Sequence, residues 1–337
     1  MYRSFRLQTK PPRKRFDEID VLRGIGAFLM LIGHAITIHN IPEYKPPIPY
    51  VFNAIYTFHM PLFFLISGLC FNWNGDDYPG YLAKKARRLL IPYLFFSLVT
   101  FILRRILPAF SLTRLTPAQT IINILFKGGE IWFLYVLFTC FLIQPIIQKA
   151  FKKASNMAIV VAVSWILYLI LPEIEWLCLS SFLFHYPFFL LGIILKKPIL
   201  RLISETKPRF VLLLSICLLV VDLLFARLKA DIEGTLLLER LIRIAQALLG
   251  ICIAACLTRV IRYKPLTACF KLLGQYSLEL YLFNGYFVSV SRTLCGMLRL
   301  STYPTILMNI FFILPLNFLW VYWVTKLKPV RFVCGRP

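Results

Sequence analysis

Apolar residues in this chain do not alternate with polar ones. They gather into long blocks, each near the twenty residues that a helix needs to cross a bilayer. Ten such blocks can be drawn, over residues 19–38, 51–71, 89–107, 131–147, 157–171, 176–195, 210–225, 241–261, 278–298 and 305–325. The fifth is short enough to be re-entrant. The pattern predicts an all-α, polytopic transmembrane bundle of about ten spans; the short alternating strands of a β-barrel are not evident. No internal repeat, Gly/Ser linker or low-complexity tract interrupts the series. Residues 1–337 therefore read as one transmembrane domain, with 1–18 as its basic N-terminal segment.

Composition agrees. Hydrophobic residues make up 59% of the 337 and charged residues 16%, with a mean hydropathy of +0.74. Soluble domains carry about a quarter of charged residues, so a soluble globular fold is excluded.

The net charge of +23 would suit a nucleic-acid binder, but its distribution does not. Lys and Arg cluster in short groups between apolar blocks, the topogenic pattern of membrane proteins, and no nucleic-acid partner is expected. If the N-terminus is cytoplasmic, basic residues on the inner side outnumber those on the outer side about threefold. Both termini are then expected in the cytoplasm. Arg3, Arg6, Lys10, Arg13, Lys14 and Arg15 precede the first block as they would in a signal peptide. That block is long and lacks a small-x-small cleavage site, so it reads as an uncleaved span. Between the third and fourth blocks, residues 116–126 open on Thr116-Pro117 and predict a helix lying on the outer surface.

The nine cysteines show no disulfide spacing, and Cys252 and Cys256, four apart on one predicted helix, fit core packing better than metal binding. No metal site is expected. Asp222 and Glu239, near span ends, are expected to pair with Arg227 and Arg243.

The chemistry begins in the first block. Arg23 and His34 are eleven residues apart, which places them within about 20° around a helix and roughly 16 Å apart along it. Ionisable groups within a membrane span are costly and mark functional sites by default. The competing reading is a snorkelling arginine and a histidine bonded to a neighbouring helix. Asp20, three residues before Arg23, can pair with it on the same face. Gly24, Gly26 and Gly33 allow a neighbouring helix or a ligand to approach closely.

Four more blocks carry polar groups. His59 and Pro61 lie in Phe58-His59-Met60-Pro61, where the proline frees a backbone carbonyl; alone, His59 reads as a satisfied structural histidine. The basic group Lys84, Lys85, Arg87 and Arg88 opens the third span, as a topology anchor, a contact to anionic lipid, or a grip on donor phosphates. Trp132-Phe133-Leu134 suits an interfacial aromatic. Residues 273–284 carry Glu279 and Asn284 into the ninth span. No P-loop, dinucleotide glycine pattern or nucleophile elbow occurs.

Together these blocks resemble the acyltransferase 3 family of integral-membrane acyltransferases, and the likeness runs from Phe16-Asp17-Glu18-Ile19-Asp20 to the tenth span. Arg23 and His34 fall at the family's Arg-x10-His spacing. Residues 58–68 resemble its second-span signature and Trp132-Phe133-Leu134 its fourth-span one. Two departures stand out. The family's Arg-x-x-Arg appears as Lys85-Ala86-Arg87-Arg88, and Asn284 stands where a histidine is common, so hydrogen bonding rather than proton transfer is expected there.

The resemblance implies an O-acylating enzyme of the bacterial cytoplasmic membrane. It would move an acyl group, expected to be acetyl, from cytoplasmic acyl-CoA to a hydroxyl of a cell-surface carbohydrate or its lipid-linked precursor. Acyl-CoA is then a co-substrate, with no permanently bound cofactor. His34 has the chemistry of the base such a transfer needs, and Arg23 of a phosphate grip or oxyanion donor. Asp20, His59, Trp132, Asn284, Lys85, Arg87 and Arg88 are the expected substrate-binding residues. Two rivals are an exporter gated by the same buried pair, against which the lack of an inverted repeat counts, and a non-catalytic partner of a polysaccharide-synthesis complex.

Overall fold

In the computed structural model, residues 17–37, 41–107, 115–151, 153–205, 207–231, 236–261 and 263–336 are described. Among them every regular element is helical. The first five helices are α1 (Asp17–Ala35), α2 (Ile48–Leu69), α3 (Tyr78–Ile106), α4 (Pro117–Phe126) and α5 (Trp132–Ala150). Next come α6 (Ala154–Ile170), α7 (Leu179–Ile194), α8 (Lys196–Glu205), α9 (Pro208–Asp231) and α10 (Leu236–Val260). The chain ends with α11 (Lys264–Gln275), α12 (Ser277–Met297), α13 (Thr302–Met308), α14 (Leu314–Val324) and α15 (Lys328–Val333).

Six helical stretches are long and apolar enough to cross a membrane: α2, α3, α5, α7 with the short turn before it, α10, and α13–α14 taken together. The remaining predicted blocks are helices too, α1, α6, α9 and α12. Large apolar side chains stand exposed along the outward faces, such as Leu94, Leu98 and Ile102 on α3 and Ile159, Val163 and Ile166 on α6. Apolar exteriors on so many helices belong to a multi-pass membrane protein.

The basic N-terminal residues up to Arg15 lie outside the described residues, as does Arg114. The predicted surface helix is α4, opened by Thr116, whose hydroxyl accepts from the Gln119 amide while the Gln119 side chain accepts from the Thr116 amide. This reciprocal cap satisfies two donors that the first turn would leave bare. The tenth block is interrupted at Asn309–Ile313 by a π turn.

α1 runs through the middle, packed against α2, α11 and α12. Its glycines explain how closely. A Cβ added at Gly24 would lie 1.9 Å from the carbonyl oxygen of Phe270 on α11, and one at Gly274 would lie 2.0 Å from that of Asp20. The two backbones therefore touch, each through the other's glycine. α11 is too short and too charged to be seen as a span, yet it fixes α1.

Among the described residues, the expected pairing of Asp222 and Glu239 with Arg227 and Arg243 is not found. Asp222 is buried and meets the Gln246 side chain of α10 at 3.5 Å. Five residues on a helix turn Arg227 to another face. Arg243 lies over the Phe184 ring, 4.6 Å from its centroid, instead of pairing with Glu239.

Candidate functional site

Polar groups gather at two ends of the bundle. At the first, the Arg23 guanidinium donates to Asp20 at 3.1 Å and reaches the Cys70 sulfur at 3.7 Å, at the end of α2. Arg88 feels the charges of Arg23, Glu279 and Arg336. The C-terminal turn closes against it: a Cβ added at Gly335 would lie 2.5 Å from the Arg88 carbonyl oxygen. Arg336 donates to both oxygens of Glu279 and, at 2.6 Å, to the Gln275 carbonyl. Three guanidinium groups thus face two carboxylates, leaving this end positive.

The predicted basic group divides, because it lies inside α3 and its members point different ways. Arg88 stays within charge range of Arg23, Glu279 and Arg336. Arg87 lies over the Phe332 ring of α15, and the Lys85 ammonium sits 3.6 Å from the Phe141 ring centroid of α5. A compact ammonium suits such a ring face, a cation–π contact.

The other end holds His34. The Tyr56 phenol of α2 lies 3.1 Å from its Nδ1, and the two rings meet edge to face. Gly33 makes this possible, since an added Cβ there would come within 2.7 Å of the Tyr56 ring. Tyr56 also touches His59, whose Nδ1 bonds the Ile55 carbonyl at 2.9 Å. His59 is buried.

Trp132 is the first residue of α5. Gly128 and Gly129 before it take φ of +75° and +53°, and a Cβ at Gly128 would meet the Cys178 sulfur at 2.5 Å. Only glycine makes that turn without strain. The Trp132 ring then lies 5.1 Å from His185 of α7.

Buried amides link α12, the π turn and α14. Asn284 accepts from Asn317 of α14 at 3.4 Å, while its own Nδ2 is buried and finds no protein acceptor among the described residues. Asn309, opening the π turn, donates to the Ala35 carbonyl at 3.0 Å and accepts from Ser291. Such π turns within helices are frequent at functional sites.

The structure therefore brings Asp20, Arg23 and Arg88 together at one end and sets His34 at the other end of the same helix. It places Trp132 beside His185 and buries Asn284 between helices. It adds Tyr56, His185, Asn317, Glu279 and Arg336. Tyr56 lay three residues before His59 in one helical block, and Asn317 was a lone amide in an apolar run; both were signals. Arg336 carried none, since it stands in a basic tail.

Compared with known proteins, the sequence matches the acyltransferase 3 family, described as an acyltransferase domain, over residues 16–326. The chain belongs to the acyltransferase 3 family. It is also 30% identical over 211 residues to nodulation protein NolL of Mesorhizobium japonicum, covering 58% of this chain and 53% of that protein. The chain thus spans about half the length of that curated relative. No solved structure matches it. In this acyltransferase 3 chain, Arg23 in the first half of α1 and His34 in its last turn each sit among polar groups.

Proposed function

We propose that this chain is an integral-membrane acyltransferase of the bacterial cytoplasmic membrane. It transfers an acyl group, acetyl by preference, from cytoplasmic acyl-CoA to a hydroxyl of a cell-surface carbohydrate or its lipid-linked precursor. On this reading α1 to α14 supply ten spans and both termini face the cytoplasm. The observation that carries the reading is the division of charge along α1: an Arg-rich end with Arg23, Arg88 and Arg336, and a histidine end with His34 and Tyr56.

The separation suits a donor with phosphates at one end and a thioester at the other. Eleven helical residues span about 16 Å, within reach of a pantetheine arm and too far for one reacting centre. The guanidinium groups hold the phosphates, for which their forked donors are matched. The thioester carbonyl then lies beside His34.

Nδ1 of His34 donates to the Tyr56 oxygen in the active tautomer, which leaves Nε2 basic. Nε2 takes the proton of the acceptor hydroxyl as its oxygen forms a bond to the thioester carbon. A buried amide donor such as Asn284 Nδ2 stabilises the oxyanion. When the carbon–sulfur bond breaks, the proton passes from Nε2 to the departing CoA thiolate, and ester and thiol leave.

The test is purified protein in lipid nanodiscs with labelled acetyl-CoA and candidate glycans. Label should reach the glycan with release of one CoA thiol per ester, and His34→Ala should abolish this while the protein still inserts. A chain that binds no acyl-CoA at millimolar concentration but moves polymer across vesicles is an exporter instead.

A further inference from the structure

At the His34 end a second polar space lies between the ends of α6, α7 and α10. It holds about 160 Å³ and opens on one side, and the reading above assigns it no role. Tyr168 and Phe184 form its floor, each ring covered by an arginine, and Glu173, Glu239, Ser181 and Arg243 give it polar walls.

Its two arginines differ. Arg240 is buried, and its guanidinium donates to the carbonyls of Tyr168 at 2.6 Å and Leu171 at 2.5 Å. It closes the C-terminus of α6, whose last carbonyls have no partner within the helix. Arg243, one turn on, rests one face on Phe184. Among the described residues no carboxylate lies within ion-pair distance of it, although Glu173 and Glu239 line the same space. A half-buried guanidinium with its donor edge on a cavity is costly unless something hydrogen-bonds it.

The wall leads back to the histidine. His185 lines the space and bonds the Ser181 carbonyl through Nδ1 at 2.7 Å. Its ring packs on Phe64 of α2 and on Trp132. On the same helix as Phe64, His59 touches Tyr56, the partner of His34.

We propose that this space is the acceptor subsite and that it holds one neutral sugar unit. The inference rests on the acyltransferase reading. Carboxylates that accept from hydroxyls, a serine hydroxyl and a forked donor form a recognition set for a polyhydroxylated ring. Two Glu and two Arg cancel in charge, so nothing selects an anion. CoA phosphates belong at the opposite end, with Arg23, Arg88 and Arg336. Glu239 and Arg243 set the acceptor's specificity, because a site built to bond hydroxyls leaves buried groups unpaired when they are missing.

The experiment titrates the protein in nanodiscs with methyl glycosides of glucose, galactose, N-acetylglucosamine and glucuronic acid, reading Trp132 fluorescence against a Trp132→Phe control. A neutral glycoside should quench Trp132 saturably, and glucuronide should bind more weakly. Glu239→Gln and Arg243→Gln should each weaken binding at least tenfold while acetyl-CoA binding and thermal midpoint stay unchanged. In turnover they should raise the acceptor KM and leave the donor KM alone. The subsite is wrong if no glycoside binds, if glucuronide binds best, or if both variants bind and turn over like the parent. Should the parent transfer no acyl group, the functional reading fails, and the glycoside titration still decides the cavity.

Discussion

The Tyr56 phenol reaches Nδ1 of His34 at 3.1 Å, and it does so through the gap that Gly33 leaves. One contact thus ties the last turn of α1 to α2 and fixes the imidazole's orientation. For a base this matters as much as basicity, because proton transfer needs the ring nitrogen within hydrogen-bond reach of the hydroxyl.

Tyr56→Phe removes the partner and keeps the ring. On the acyltransferase reading it should lower kcat about tenfold or more and leave donor KM within error, since the donor's phosphates are held far away. Steady-state turnover in nanodiscs checks this. An unchanged kcat would mean that Tyr56 only fills space.

Gly274→Ala tests the touching backbones. In an exposed helix the change would stabilise by about 1 kcal/mol through propensity. Here the new methyl meets a backbone carbonyl at 2.0 Å, and overpacking of that kind costs about 1–3 kcal/mol. The clash should win, and the thermal midpoint should fall. Gly285→Ala, on α12 with open space around it, is the control and should not lower it.

The Glu279–Arg336 pair predicts that the last residues matter. The Glu279 side chain is 2% exposed and that of Arg336 29%. Losing one partner of a fully buried pair costs about 3–5 kcal/mol, and a surface pair is worth about 0–1. Arg336→Gln should fall between, and Glu279→Gln added to it should recover part of the loss. Thermal unfolding of the two variants decides; additive losses would show that the charges do not depend on each other.

Two cysteines near the Arg23 end should react differently. Cys70 is exposed beside Arg23. Cys334 is fully buried, and burial pushes its thiol up to about 12. The thiolate is the reactive form, so at pH 8 very little Cys334 is poised to react. N-ethylmaleimide followed by peptide mapping should find Cys70 modified well ahead of Cys334, and acetyl-CoA should slow Cys70 if it occupies that end. Equal rates would overturn both placements.

Much of the architecture was legible because apolar block length and helix length obey the same geometry: each predicted block falls on helix, and six helical stretches are long and apolar enough to cross a membrane. The elements missed, α8, α11 and α15, are short and carry lysine or arginine, so they look like connections. At the site, Asp20 pairs with Arg23 because three residues bring side chains to one helix face. His185 escaped notice because it sits in the run 182–189, among phenylalanines that read as core. The division of the basic group was also hidden. Spacing along one helix places Lys85 and Arg88 on similar faces, but it does not say that Phe141 waits for one and Arg23 for the other.

The first helix is gripped at two points, by the Gly24–Gly274 backbone contact in its first half and by the Asn309 amide on the Ala35 carbonyl at its end. A rod pinned in this way is an axle: it cannot slide or turn without breaking a hydrogen bond and forcing two backbones through each other. Any motion that admits or releases substrates must then be made by the helices around it, while His34 and Arg23 keep their spacing throughout the cycle.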